Sequence, residues 1–266
     1  MLANTFLKTL RDRRRSLLWW ALGLVGLTVI TVGFWPTIEE SGEELNRLVR
    51  DLPPALRNLA GGDLDLTSPE GYLIGRLFSF LGPILFLVFA IGFGARTIAG
   101  EEQAGTLELV LARPVPRWRI VAEKFPALAV ATVLLGLVLW GSLALGTAPV
   151  GLDIDPDRLA GATLMVVLLG LLFGALALLI GALTGKRGMA LGITAAVAVG
   201  TYLLDLYASI SQAVEPFRGL SPFHYSDAAV PLRNGVDPAH VAFLVVVTLF
   251  LAGFSVVAFD RRDVRV

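Results

Sequence analysis

Two ionisable side chains inside long apolar stretches are the first residues that could do chemistry. Arg76 and Asp205 each interrupt a run of side chains that is long enough to cross a bilayer. A charge in hydrocarbon is costly unless it is paired or faces water, so such residues often mark a translocation path. Both lie near one end of their runs, where a long side chain such as that of Arg76 can reach the interface. The sequence leaves open a transport role and a structural pair or interfacial position.

The other candidates for catalysis or ligand binding lack the spacing that their chemistry needs. His224 and His240 are 16 residues apart and form no metal-ligand pattern such as HExxH, so we interpret each as an ordinary surface histidine. Segment 181–187, GALTGKR, departs from a phosphate-binding loop in its glycine spacing and in the residue after the lysine. The absence of cysteine excludes thiol catalysis and thiolate metal sites. The sequence therefore predicts no metal, cofactor or nucleotide site in this chain.

The most informative polar segment is residues 100–124, GEEQAGTLELVLARPVPRWRIVAEK. Its apolar side chains recur at the spacing of one helical face: Leu107, Val110 and Leu111. Glu101 and Glu102 would favour the positive end of a helix, and Pro114 with Pro116 would end it. The pattern predicts a short amphipathic element that lies on the membrane or docks into a partner.

The elements that position these residues follow from composition. The 266 residues are 55% hydrophobic and 17% charged, with a mean hydropathy of +0.73, which is typical of a protein that has lipid as its solvent. Six stretches reach the roughly 20 apolar residues that a span requires: 17–35, 72–95, 126–147, 159–184, 188–208 and 240–259. We expect an all-α membrane protein with one domain over 1–266, an outer loop at 36–71 and a cytoplasmic loop at 96–125.

A short interfacial helix is expected before the first span, and the basic residues predict the orientation. Leu2, Phe6, Leu7 and Leu10 share one helical face ahead of an arginine-rich stretch. The side that holds both termini carries 15 Lys and Arg residues, and the other side carries 6. Because cytoplasmic loops are enriched in Lys and Arg, both termini are predicted to be cytoplasmic in a multi-pass protein of the cell membrane.

At the 100–124 segment the chain resembles the permease subunits of ABC-2 type ATP-binding cassette exporters. Their loop between the second and third spans reads approximately ExxxGTLExLLxxPVxR, followed by Lys. The matching residues are Glu101 or Glu102, Gly105, Thr106, Leu107, Glu108, Leu109, Leu111, Pro114, Val115, Arg117 and Lys124. The six spans, the basic N-terminus and the outer segment 220–225 extend the resemblance over the whole chain.

The resemblance implies the membrane half of an exporter. Two permease copies, identical or related, would work with two ATP-binding cassette ATPase subunits, which would bind the ATP and Mg. This chain would contact lipid but no nucleic acid and would not itself be an enzyme. The loop would be a coupling helix that contacts the ATPase through Glu101, Glu102, Gly105, Thr106, Leu107, Glu108, Leu111 and Arg117. Arg76 and Asp205 would line the translocation path or form buried pairs.

Two other function classes compete with this interpretation. A membrane-embedded lipid-modifying enzyme would need a polar catalytic cluster, which the sequence does not offer. A secondary transporter would be expected to have broken helices with polar midplane sites and a detectable inverted repeat. Pro83 interrupts the second span, and we find no matching feature in the other half of the chain.

Overall fold

The computed structural model describes residues 5–40, 47, 68–105 and 116–262. Within them, six helices are long and apolar enough to cross a membrane, which confirms the predicted all-α fold and its six spans. The spans are α1 (Thr5–Gly33), α2 (Pro69–Gln103), α3 (Arg117–Thr147), α4 (Pro156–Thr184), α5 (Arg187–Ala208) and α8 (Pro238–Asp260). Between α5 and α8 lie a 3₁₀ segment, Glu215–Leu220, and the short helices α6 (Pro222–Tyr225) and α7 (Ala229–Asn234).

The separate interfacial helix predicted at the N-terminus is not formed, because α1 continues without a break from Thr5 into the first span. A helix of 29 residues is about 44 Å long, whereas the hydrocarbon core is about 30 Å thick. The excess lets the basic first turns extend beyond the apolar layer. Phe6 and Leu10 pack against the core, while Leu7 is exposed.

The second span consists of α-helical and π-helical segments in alternation. The α-helical parts are Pro69–Leu73, Leu81–Ala95 and Glu101–Gln103, and the π-helical parts are Ile74–Phe78 and Arg96–Gly100. A π segment inserts an extra residue into a turn and redirects the side chains beside it. The second π segment and the last α-helical turn carry the helix past the predicted boundary at residue 95 to Gln103. The loop after it is therefore shorter than the 96–125 segment that hydropathy suggested.

The fourth span is the centre of the bundle, since nearly all of its apolar residues are buried. Gly170 and Gly174 let α2 approach it closely. A Cβ atom at Gly170 would lie 3.2 Å from Cβ of Phe86, and one at Gly174 would lie 3.1 Å from Cβ of Ala90. This GxxxG pair therefore packs within the chain, as small residues allow helix backbones to meet in lipid.

The bundle has two ends that we name by their contents. The terminal face holds the start of α1, the end of α2, the α4–α5 turn and Arg262. The opposite face holds the described connections 148–155 and 209–236. Gly185 makes the tight α4–α5 turn with a φ of 65°, in the left-handed region that glycine adopts readily.

Candidate functional site

A buried ion pair joins α2 to α3 at the terminal face. The side chain of Lys124 is fully buried, although lysine is seldom buried unless it is paired. Its Nζ donates to a carboxylate oxygen of Glu101 at 2.5 Å and to the backbone carbonyl of Thr97. These acceptors compensate the charge at a position where an unpaired ammonium would be strongly destabilising.

A second pair joins α2 to the residues that follow α8. Arg262 donates to Glu102 and, through Nη1, to the carbonyl of Ala182 on α4 at 2.9 Å. Both charged groups lie against Gly185, where a Cβ atom would come within 2.6 Å of the Glu102 carboxylate. The absence of a side chain at Gly185 thus makes room for the pair. We call these contacts, together with Glu101–Lys124, the terminal-face network.

The sequence-predicted coupling residues divide into a described and an undescribed part. Glu101 and Glu102 both bind side chains of their own chain. Gly105 follows them and ends the helix with a φ of 68°, in the left-handed region that glycine adopts readily. Thr106, Leu107, Glu108 and Leu111 lie outside the described residues, and so does the side chain of Arg117, whose backbone begins α3. Docking of this loop into an ATPase stays a prediction.

Asp205 and Arg76, the two charges predicted within spans, have different neighbours at the opposite face. Asp205 accepts a hydrogen bond from Nε of Arg218 at 3.1 Å, and both side chains are partly exposed. Arg76 lies over the ring of Phe34, 5.9 Å from its centroid, as a cation–π contact. Sequence reasoning missed Arg218 because nothing in the apolar pattern shows that the 3₁₀ segment folds back onto α5.

Two adjoining cavities lie between α2 and α5 toward the opposite face. The larger, about 440 Å³, is lined by charged and apolar groups that include Asp205, Arg218 and Arg233. The smaller, about 180 Å³, is apolar and includes Phe80, Ile84 and Val199 in its lining. The two share Ser79, Pro83, Tyr202 and Phe223. Together they offer a polar opening that leads to an apolar surface.

An exposed face of α2 leads from these cavities to the terminal face. Phe80, Ile84 and Val88 are exposed at four-residue intervals, Gly92 is partly exposed, and Arg96 is exposed where the second π segment begins. Residues four apart are neighbours on a helix surface, so these five positions form one stripe, which winds gradually around α2. From Phe80 to Arg96 the stripe is about 24 Å long. We call it the α2 stripe.

An aromatic cluster near the opposite face contains both histidines. The rings of His224 and His240 have centroids 5.8 Å apart, and Tyr225 contacts both and stacks on Phe243. Burial lowers the pKa of His224, and the positive charge of Arg218 lowers that pKa further. Sequence reasoning interpreted each as an ordinary surface histidine, because a spacing of 16 residues does not show that the two rings meet. Within the described ranges, no three His, Cys, Asp or Glu side chains form a group suited to a metal ion.

Comparison with known families gives one match, which covers nearly the whole chain. The model described as ABC-2 family transporter protein matches residues 3–264. No individual curated protein matches the chain significantly.

Proposed function

The chain belongs to the ABC-2 family of transporter proteins, and from this premise we propose that it is the membrane component of an exporter driven by a separate ATPase. It is a multi-pass permease, and permeases of this family generally work with an ATP-binding cassette partner. In this proposal the chain itself is not an enzyme, and ATP and Mg bind to the partner. The purified chain alone should therefore hydrolyse no ATP.

We place the terminal face in the cytoplasm of a cell-membrane protein, with both termini on that side. The excess of Lys and Arg on the connections of this face supports the orientation. The chain has no native cysteine, so single cysteines report accessibility directly. An impermeant maleimide added to spheroplasts should label Asp155→Cys and leave Ala104→Cys unlabelled, and labelling of Ala104→Cys would contradict the orientation.

The observation that carries the coupling role is the terminal-face network. Glu101 and Glu102 precede the loop at Gly105, and their partners Lys124 and Arg262 lie on α3 and after α8. Arg262 also binds a carbonyl of α4. A force that an ATPase applies to the loop would therefore reach several spans through buried or partly buried charged contacts.

The experiment reverses one charge of this network. Glu102→Lys should insert normally yet lose substrate-stimulated activity of the associated ATPase. Asp153→Lys, the same charge change on an exposed residue of the opposite face, is the matched control. Restored coupling in the exchange Glu102→Arg with Arg262→Glu would assign Glu102 to the internal network, whereas failed rescue would favour a direct ATPase contact. Unchanged coupling in Glu102→Lys would remove this residue from the coupling role.

We further propose that a second permease copy faces the α2 stripe and that the translocation path runs between the copies. The stripe is exposed along the bilayer and has a partly polar cavity near one end. Val88→Cys should form a disulfide between copies upon oxidation, while Leu137→Cys, equally exposed but on α3, should not. Cross-linking at Leu137→Cys with none at Val88→Cys would place the contact on another face.

A further inference from the structure

A cavity of about 580 Å³ at the terminal face is lined by arginines from three elements. Arg13 lies on α1, Arg96 begins the second π segment of α2, and Arg187 is the first residue of α5. The guanidinium of Arg13 stacks over Phe93, with 5.0 Å between the guanidinium carbon and the ring centroid. The positive charges of Arg96 and Arg187 both act unfavourably on Arg13. The fold therefore holds three like charges around one space.

The two carboxylates of the cavity act favourably on Arg13, but they are fewer than its three arginines. Its lining includes two carboxylates, Asp12 and Glu101, and Glu101 is bound to Lys124 at 2.5 Å. Nε of Arg187 is buried and has no hydrogen-bond partner among the described residues. Arg96 makes no hydrogen bond or ion pair within that part of the chain. The excess of positive charge calls for an anion from outside the described residues.

The chemistry of the donors favours a phosphate group as that anion. Guanidinium groups bind phosphate oxygens through paired, charge-assisted hydrogen bonds. Arg187 also stands at the start of a 22-residue helix, whose unpaired N–H groups and dipole attract anions. The volume of about 580 Å³ is within the range of small-molecule sites and exceeds what inorganic phosphate alone would fill.

Apolar surface adjoins the cavity on the side of the bilayer. Val88 and Ile84 of the α2 stripe lie two and three helical turns from Arg96 and are exposed. On α5, Met189, Ile193 and Val197 are exposed at four-residue spacing above Arg187. A molecule whose phosphate binds the arginines could place an acyl chain along either surface. This combination distinguishes an amphiphile from a free phosphate.

We propose that the cavity binds the phosphate-bearing head of an anionic amphiphile, with its chain along the α2 stripe. The proposed function enters this inference at one point only: if the terminal face is cytoplasmic, the amphiphile comes from the cytoplasmic leaflet. A membrane phospholipid and an exported lipid share this chemistry. Binding itself needs no transport, so it is tested on the full-length purified chain whether or not export is observed.

The experiment measures displacement of a fluorescent phosphatidylglycerol from the detergent-solubilised chain. Unlabelled phosphatidylglycerol should compete at concentrations about tenfold lower than phosphatidylcholine, because the choline ammonium of phosphatidylcholine cancels the charge of its phosphate and only phosphatidylglycerol keeps a net negative charge. Inorganic phosphate at millimolar concentration should compete poorly. Arg96→Gln and Arg187→Gln should each reduce the preference for phosphatidylglycerol. Arg14→Gln, the same change on an exposed residue of α1 outside the cavity, should retain it.

Four results would overturn the proposal. Equal competition by the two phospholipids would show that the cavity does not select a head group with net negative charge, and an equal loss in Arg14→Gln would show diffuse surface attraction. Competition by inorganic phosphate as effective as that by phosphatidylglycerol would remove the apolar part of the site. If Arg96→Gln instead lost its ATPase subunit while retaining the lipid preference, the arginines would belong to a protein interface. Monodisperse elution of each variant ensures that folding is not the cause.

Discussion

Nζ of Lys124 on α3 lies 2.5 Å from a carboxylate oxygen of Glu101 on α2, and the two members of this pair differ in their access to solvent. The side chain of Lys124 is 0% exposed, whereas that of Glu101 is 28% exposed. The lysine therefore depends on its partner more than the glutamate does. A partly solvated carboxylate retains some hydration when the ammonium is removed, but a buried ammonium gains none when the carboxylate is neutralised.

This asymmetry predicts unequal costs for the two single variants. Glu101→Gln should destabilise the chain by about 3–5 kcal/mol, the range for leaving a buried charge without its partner. Lys124→Met should cost less, since the remaining carboxylate reaches water. The double variant should be more stable than Glu101→Gln alone. Thermal unfolding midpoints in one detergent would check this order, and a larger loss for Lys124→Met would contradict it.

Gly185→Ala should disturb the Glu102–Arg262 pair in addition to straining the backbone. Gly185 and Gly151 have similar φ values of 65° and 73°, and a non-glycine residue there costs about 1–2 kcal/mol. A Cβ atom at Gly151 would meet nothing within 4 Å, whereas one at Gly185 would come within 2.6 Å of the Glu102 carboxylate. Gly151→Ala is thus a control for the strain alone.

We expect similar losses of stability in the two glycine variants, because the charged side chains can shift, but a loss of ATPase coupling in Gly185→Ala alone. Substrate-stimulated ATPase activity would be measured beside the unfolding midpoint. If both variants kept coupling, a precise position of Glu102 would be unnecessary for transmission.

Asp205→Asn should be milder than Asp205→Ala. The amide oxygen of asparagine can still accept the hydrogen bond from Nε of Arg218, whereas alanine leaves the guanidinium without it. Since both members of the pair are partly exposed, the loss of stability should stay near 0.2–1 kcal/mol. A larger effect on transport than on stability would assign Asp205 to the path, and wild-type transport in both variants would assign it to the water interface.

Acidification should destabilise the opposite face through His224. Burial first, then Arg218 and His240, lowers the pKa of His224, while Asp205 and Asp227 act in the other direction. The unfolded chain, with a histidine pKa of about 6.5, takes up a proton more readily than the folded chain. The stabilising contribution is therefore complete above about pH 6.5 and is lost as the pH falls toward the lower folded-state pKa.

The measurement for His224 compares unfolding midpoints at about pH 7.5 and about pH 5 for the wild type and His224→Gln. The glutamine variant, which has no titrating group at this position, should show a smaller decrease upon acidification. An identical decrease in both proteins would mean that other groups determine the pH dependence.

Hydropathy was sufficient to predict the spans, because a bilayer imposes a length and a composition on any helix that crosses it. It could not show where a helix continues beyond the hydrocarbon, and so α2 ends at Gln103 rather than at residue 95. The pairing of Asp205 with Arg218 and the burial of Lys124 were not predictable for a related reason. Both depend on where distant segments fold back. The neighbouring sequence of a charged residue is the same whether its side chain is solvated by water or paired with an opposite charge.

The π-helical segments also escaped prediction, since a single extra residue in a turn changes the period too little to be recognised among apolar side chains. The turn at Gly185 could be predicted from the sequence. Spans as close in sequence as α4 and α5 require a tight turn, and glycine is the residue that makes such a turn without strain.

The short turn at Gly185 has a consequence for biogenesis. It connects the span with the highest mean hydropathy, α4 at 2.8, to the span with the lowest, α5 at 1.7. With no more than two residues between these helices, neither can leave the translocation machinery far ahead of the other. We expect α4 and α5 to enter the bilayer as one helical hairpin. The favourable insertion free energy of the strongly apolar α4 would then support insertion of α5, which would partition weakly by itself.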